Sequence, residues 1–316
     1  MNKLLLLSGA FLGWGLGAND SANIYGTAVY TKIISYRLAV ILTSLCVVLG
    51  AVFDGTRGIK KVSEFAIANG ISHVEISFYV MLSAGITVFL MTLFKLPVST
   101  SQAVVGSIIG HGLLVGVSNL NVAFQFFSAW VFTPIGGMVF SFGLYLVTTR
   151  FLEKKLTSFT FFTHFVKGGY IVAGMFAAYS LGANNVANVF GVFLVDPLYL
   201  SIRWATLLGG LSIALGVITF SKPVMMTVGE GIVPLTHISG FLVVIASALT
   251  VYIYARIGIP VSSSQAVVGA LIGIGLVKDY RLLNWSMLLR IFSGWLLTPT
   301  VSGILCVILL KVFTQL

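Results

Sequence analysis

Asp20 is the residue of this chain best placed to do chemistry. It stands in the run Gly17-Ala18-Asn19-Asp20-Ser21-Ala22-Asn23, deep within a long apolar stretch. The other seven acids fall at or near the ends of apolar segments. An ionisable group at membrane depth is costly unless a cation, a proton or a wet cavity compensates it. Asn19 and Asn23 add amide oxygens, and such hard donors suit sodium rather than a soft transition metal. The plainer alternative is a packing carboxylate satisfied by neighbouring amides. Against it stands the recurrence of the run as Gly182-Ala183-Asn184-Asn185-Val186-Ala187-Asn188. Gly17, Gly26, Gly182 and Gly191 flank the two polar runs, so a helix break that frees carbonyls toward an ion is expected at each. A small-residue packing face through Gly9, Gly13 and Gly17 is the competing reading.

A second pair of motifs suggests the opposite charge. Pro97-Val98-Ser99-Thr100-Ser101-Gln102 recurs as Pro260-Val261-Ser262-Ser263-Ser264-Gln265. Proline, then three hydroxyls, then an apolar stretch reads as a helix start with capping side chains. At mid-membrane such a start offers free N–H groups and a positive dipole end to an anion. Two of them brought together could surround a small tetrahedral oxyanion without a buried Lys or Arg. Gln102, Gly106 and Gly110 share one helix face, as do Gln265, Gly269 and Gly273. One serine-rich cap alone is usually only a cap; here it is duplicated beside a duplicated asparagine motif. An oxyanion beside ionised Asp20 would be strongly repelled in a low-dielectric site, so co-bound cations are expected, and obligatory co-binding is symport.

The elements that must position these groups are membrane helices. Only 8% of the 316 residues are charged and 58% are hydrophobic, which excludes an ordinary water-soluble surface. Apolar segments lie near 3–31, 37–53, 75–95, 97–118 and 122–149, then near 167–195, 202–220, 236–256, 260–277 and 285–313. Trp130 with Thr133-Pro134 is echoed by Trp295 with Thr298-Pro299. The three paired motifs keep one order at offsets of 163 to 165 residues, which points to a duplication. The expected fold is an all-α polytopic membrane protein of two repeats, 1–150 and 164–316, joined by a cytoplasmic loop at 151–163. An odd number of segments per half makes the repeats inverted in topology, with broken helices at mid-membrane.

Eleven of the eighteen bases, among them Arg150, Lys154, Lys155 and Lys167, fall on one predicted side. That side should face the cytoplasm, which puts both termini outside a plasma membrane. The net charge of +10 is scattered over short loops and does not suggest nucleic acid. Cys46 and Cys306 are isolated within apolar runs and build neither a disulfide framework nor a metal site. Lys3 and the Leu-rich run after it resemble a signal peptide, but the segment's reappearance within the chain argues for a retained first helix.

The G-A-N-D-x-A-N element at 17–23, its copy at 182–188 and the two P-V-S-[ST]-S-Q elements are similar to those of the inorganic phosphate transporter (PiT) family. The likeness covers essentially the whole chain and matches the compact prokaryotic forms. It implies phosphate import coupled to sodium or protons by alternating access, and a homodimer. Carried over by position, Asp20, Asn23, Asn185 and Asn188 would line sodium sites. Ser99, Thr100, Ser101, Gln102, Ser262, Ser263, Ser264 and Gln265, with Asn19 and Asn184, would hold the anion. Asn185 departs from the family, which usually keeps an aspartate there, so weaker or fewer cation sites are expected in the second half.

The competing functions are a carrier of sulfate or another tetrahedral oxyanion, an anion channel and a membrane enzyme. The last is disfavoured by the lack of HExxH, of a Cys–His cluster and of paired acids at helical spacing; no cofactor besides the coupling ion is expected. His111 reads as a packing histidine rather than a proton relay, Trp130 and Trp295 as interface or packing aromatics rather than substrate contacts, and Lys222 and Glu230 as a solvated loop.

Overall fold

The computed structural model describes residues 3–93, 98–117, 119–151, 159–196, 198–227 and 232–314. Among these every regular element is a helix. Helices α1 (Leu7–Asp20) and α2 (Ala22–Tyr30) run almost end to end, because Ser21 between them keeps helical angles of φ −59° and ψ −27°. They are followed by α3 (Tyr36–Asp54), α4 (Thr56–Ala68), α5 (Val74–Leu93), α6 (Thr100–Leu114) and α7 (Leu120–Phe151). The remainder is α8 (Phe159–Phe190), α9 (Ile202–Thr227), α10 (His237–Ile257), α11 (Ser263–Lys278) and α12 (Trp285–Phe313).

Seven described helices are long and apolar enough to cross a membrane: α3, α5, α7, α8, α9, α10 and α12. Their outward positions are apolar, including Leu45, Phe124, Leu289 and Leu296, whereas Thr43, Ser83, Ser107 and Thr298 are fully buried. That is the polarity of a protein dissolved in lipid, where polar groups must find partners inside the bundle.

Four expectations are corrected. The stretch predicted at 97–118 forms only 15 residues of helix and that at 260–277 only 16, or about 22–24 Å at ~1.5 Å per residue, short of a ~30 Å core. Each is instead the returning arm of a hairpin, α6 against α5 and α11 against α10. Second, α4 is an unforeseen helix. It buries Ile59, Val62, Phe65 and Ala66 while Arg57, Lys60 and Glu64 are exposed, an amphipathic pattern without a long apolar run. Third, α8 passes unbroken through Gly182 and Asn184–Asn188 and tightens into a 3-10 turn only at Gly191–Val195. The breaks lie at the hairpin tips, where Ser99 and Ser262 start α6 and α11 as N-caps. Lys222 likewise lies inside α9, not in a loop. Pro97, Lys95, Lys154, Lys155, Glu230 and residues 152–158 of the predicted connecting loop lie outside the described residues.

Gly17 and Gly182 serve close packing. Gly17 abuts the carbonyl of Ile213, and Gly182 that of Val47; a methyl group at either would collide with the neighbouring backbone. The two contacts are one contact exchanged between halves, α1 on α9 and α8 on α3. The same exchange relates Gly106 on Pro299 to Gly269 on Pro134. Consequently α12 packs along α5 and α6, while α7 packs along α10 and α11. Each hairpin is clasped by the last long helix of the other half.

Candidate functional site

The site forms where the α10–α11 tip meets the two asparagine motifs. Ser262 caps α11 by accepting the N–H of Gln265 at 3.3 Å, so the next two hydroxyls project from the first turn of the helix. Ser263 donates its hydroxyl to one carboxylate oxygen of Asp20, and the Asn19 amide donates to the other at 3.1 Å. The Asn23 amide donates to Ser264 Oγ at 3.4 Å. From the other side, Asn184 donates to the carbonyl of Val261 at 2.7 Å and accepts its N–H at 3.0 Å. The tip is thus tied both to the α1–α2 junction and to α8.

A cavity of about 20 Å³ remains between Asp20, Asn23, Ser247 and Ser263, room for one water or small ion. Its donor set is one carboxylate with amide and hydroxyl oxygens, hard ligands of the kind sodium takes. Among the described residues no group of three His, Cys, Asp or Glu comes together. Ser247, from α10, was not singled out in the sequence; it lies in an apolar run, and its counterpart in the first half is Ala84, so neither composition nor duplication marks it.

The second asparagine motif differs. Asn188 donates to Asn185 Oδ1 at 3.0 Å, which leaves Asn185 Nδ2 and Asn188 Oδ1 buried without partners. Gln102 Oε1 and Gln265 Oε1 are also buried and unpartnered. The unmatched polar atoms on these four motif residues leave a desolvation cost that a ligand can repay. Ser99 caps α6 by accepting the Gln102 N–H at 3.4 Å and lies 3.2 Å from Ser101 Oγ, and Thr100 is buried beside them. Asn184, expected to face the anion, has both amide atoms committed to Val261 in this conformation.

The two glutamines also border a cavity of about 1130 Å³ between the α6–α12 and α7–α11 pairs. Its walls are apolar and include Trp130 and Trp295, each edge-on to a phenylalanine, Phe127 at 5.0 Å and Phe292 at 4.9 Å. Both rings pack on a phenylalanine while bordering the cavity, and Trp130 Nε1 is buried without a partner. His111 is also buried, with Nδ1 3.0 Å from the Asn69 carbonyl. Farther along α10, Asp54 at the end of α3 meets Arg256 at 3.1 Å, an ion pair that the sequence reading did not foresee.

Apolar outer helices around a buried carboxylate, with a capped half-membrane helix docked on it, define a multi-pass membrane transporter. The chain belongs to the phosphate transporter family, whose profile matches residues 16–306. It is 28% identical over 394 aligned residues to a protein of Pyrococcus horikoshii assigned as a phosphate permease, covering 98% of this chain and 97% of that one. It is 29% identical over 326 residues to the sulfate permease CysP of Bacillus subtilis, covering 100% and 89%. Its fold matches that of a solved sodium-dependent phosphate transporter, with a TM-score of 0.83, 22% identity and coverage of 99% and 98%. The family transports phosphate across membranes, and this chain is a transporter, not an enzyme.

Proposed function

We infer that the chain imports inorganic phosphate together with sodium by alternating access. The observation that carries this reading is the Ser263–Asp20 hydrogen bond. It puts a helix start suited to an oxyanion next to the buried carboxylate suited to a cation. Cation binding beside Asp20 lowers the repulsion that phosphate would meet there, so each ligand favours the other. Asp20 and Asn23 hold the cation; Asn185 and Asn188 contribute amide atoms from the second half. The hydroxyls of 99–101 and 262–264, Gln102, Gln265 and Asn19 surround the anion. Residues 1–150 and 164–316 are inverted repeats, both termini face outward from the plasma membrane, and the working unit is a homodimer.

The test is radiolabelled phosphate uptake into proteoliposomes, with and without an inward sodium gradient, with sulfate as competitor. Saturable, sodium-driven uptake that sulfate leaves unchanged supports the reading; an equal response to a proton gradient alone replaces sodium by protons.

A sulfate carrier is the second reading, favoured by the similarity to CysP and by the amide at Asn185. Sulfate at neutral pH has no proton to donate, so it gains from N–H and O–H donors and nothing from a second carboxylate. Sulfate accumulation without phosphate accumulation would establish it.

A further inference from the structure

The α10–α11 tip is held by more than the site itself. Asp54 Oδ1 accepts Arg256 Nη1 at 3.1 Å, and Asp54 Oδ2 accepts the hydroxyls of Tyr179 at 2.7 Å and Tyr252 at 3.3 Å. Arg57 Nη1, at the start of α4, donates to the Arg256 carbonyl at 2.8 Å. Gly258, two residues on, turns the chain at φ +88° against the Arg57 backbone and begins the tip. Five groups from α3, α4, α8 and α10 thus converge one turn before Val261 and Ser263.

The equivalent place in the first half is built differently. Phe176, Tyr179 and Tyr252 correspond to Phe11, Trp14 and Phe89 at the offsets of the paired motifs, and Asp54 corresponds to Phe220 in the same register that pairs Val47 with Ile213. Phe176 and Tyr252 lie edge to face at 5.4 Å, as Phe11 and Phe89 approach at 6.3 Å. Trp14 packs on Phe220 at 5.8 Å and donates Nε1 to Thr219 Oγ1 at 2.8 Å, where Tyr179 instead donates to the Asp54 carboxylate. One quartet is aromatic throughout; its twin has gained a carboxylate and two phenols, and Arg256 beside it adds a guanidinium. The first version holds its helices with no charged group, so helix packing does not by itself call for the ion pair of the second.

We propose that Asp54, Arg256, Tyr179 and Tyr252 form a latch that keeps the α10–α11 tip on Asp20 and Asn184, and that it must open for the tip to leave. This inference rests on the reading that the tip closes the transport site. The chemistry suits a reversible latch. The Arg256 side chain is 49% exposed and that of Asp54 18%, so water competes for the pair and neither charge is stranded when it parts. A fully buried pair would not release on such terms. Opening frees the carboxylate to water and removes the charged contact that ties the end of α10 to α3.

The experiment measures how fast a water-soluble maleimide modifies Val261→Cys in reconstituted protein whose Cys46 and Cys306 are replaced by Ala. Val261 is wholly buried, so its labelling reports tip opening. Asp54→Asn and Arg256→Gln are expected to speed labelling on the order of tenfold, the scale of losing a hydrogen bond between charged groups. Tyr179→Phe, which keeps the ring, gives a smaller rise. Trp14→Phe in the aromatic quartet leaves the rate unchanged. Labelling of the parent should also quicken with added salt, and that of Asp54→Asn should not. Unchanged labelling in folded Asp54→Asn and Tyr179→Phe overturns the latch, as does equal acceleration by Trp14→Phe. No substrate is present in the assay. Faster labelling in a protein that moves neither phosphate nor sulfate would keep the latch and reject the transport reading.

Discussion

The Asn184 side chain takes both backbone hydrogen-bonding groups of Val261, donating at 2.7 Å and accepting at 3.0 Å. A short amide carries its donor and its acceptor on separate atoms, so it can reach both groups of one backbone residue, which explains a neutral residue there. Asn184→Ala strands a buried N–H and a buried C=O, at about 1–3 kcal/mol each. Lower thermal stability together with loss of uptake is expected; full uptake in a folded Asn184→Ala protein would show that the tip needs no such clamp.

Asp20→Asn keeps an oxygen that can accept the Ser263 hydroxyl, so the fold should persist. It removes the one carboxylate at the small cavity beside Asn23 and Ser247. Anion binding should then lose its dependence on sodium. Calorimetric titration of the anion with and without sodium checks this, and an undiminished sodium effect would place the coupling ion elsewhere.

Asn185→Asp restores the carboxylate that the second motif lacks. Asn188 already donates to Asn185 Oδ1, so the new group finds a donor in place. The expected result is a steeper sodium dependence of uptake, read as a higher Hill coefficient. An unaltered curve would mean that the second motif takes no cation even when charged.

Gly106→Ala drives a methyl group into the Pro299 backbone, and Gly269→Ala does the same at Pro134. Each should cost about 1–3 kcal/mol or more, because backbone cannot step aside as a side chain does. Gly15, in the same protein, has open space around it. Gly15→Ala should raise stability by about 0.5–1 kcal/mol. Thermal unfolding in detergent separates the two classes.

Much of this was legible before the fold. The paired motifs stand in sequence at nearly constant offset, and helix caps are local, so Ser99 and Ser262 could be recognised as helix starts from their neighbours alone. The groups drawn to the tip could not. Val261 enters through its backbone, 77 residues from Asn184, and a main-chain amide leaves no mark on composition. Asp54 looked like any acid at a helix end, because Tyr179 and Arg256 reach it only once α8 packs across both α3 and α10. The expected breaks at Gly17 and Gly182 failed because glycine serves two ends, bending and close approach, and only the facing carbonyls of Ile213 and Val47 decide between them. Helix α4 escaped notice because its apolar residues are spaced around bases rather than gathered in a run.

The exchange of α7 and α12 between the halves bears on how the chain is made. The glycine face of α6 at Gly106 and Gly110 meets Pro299 and Gly303, which leave the ribosome almost two hundred residues later. Until then the first hairpin has no clasp, although its own half is complete. The second hairpin finds α7 already synthesised when α11 appears. Biogenesis is therefore lopsided in time: one arm can close as it emerges, and the other must wait in the bilayer for the last helix.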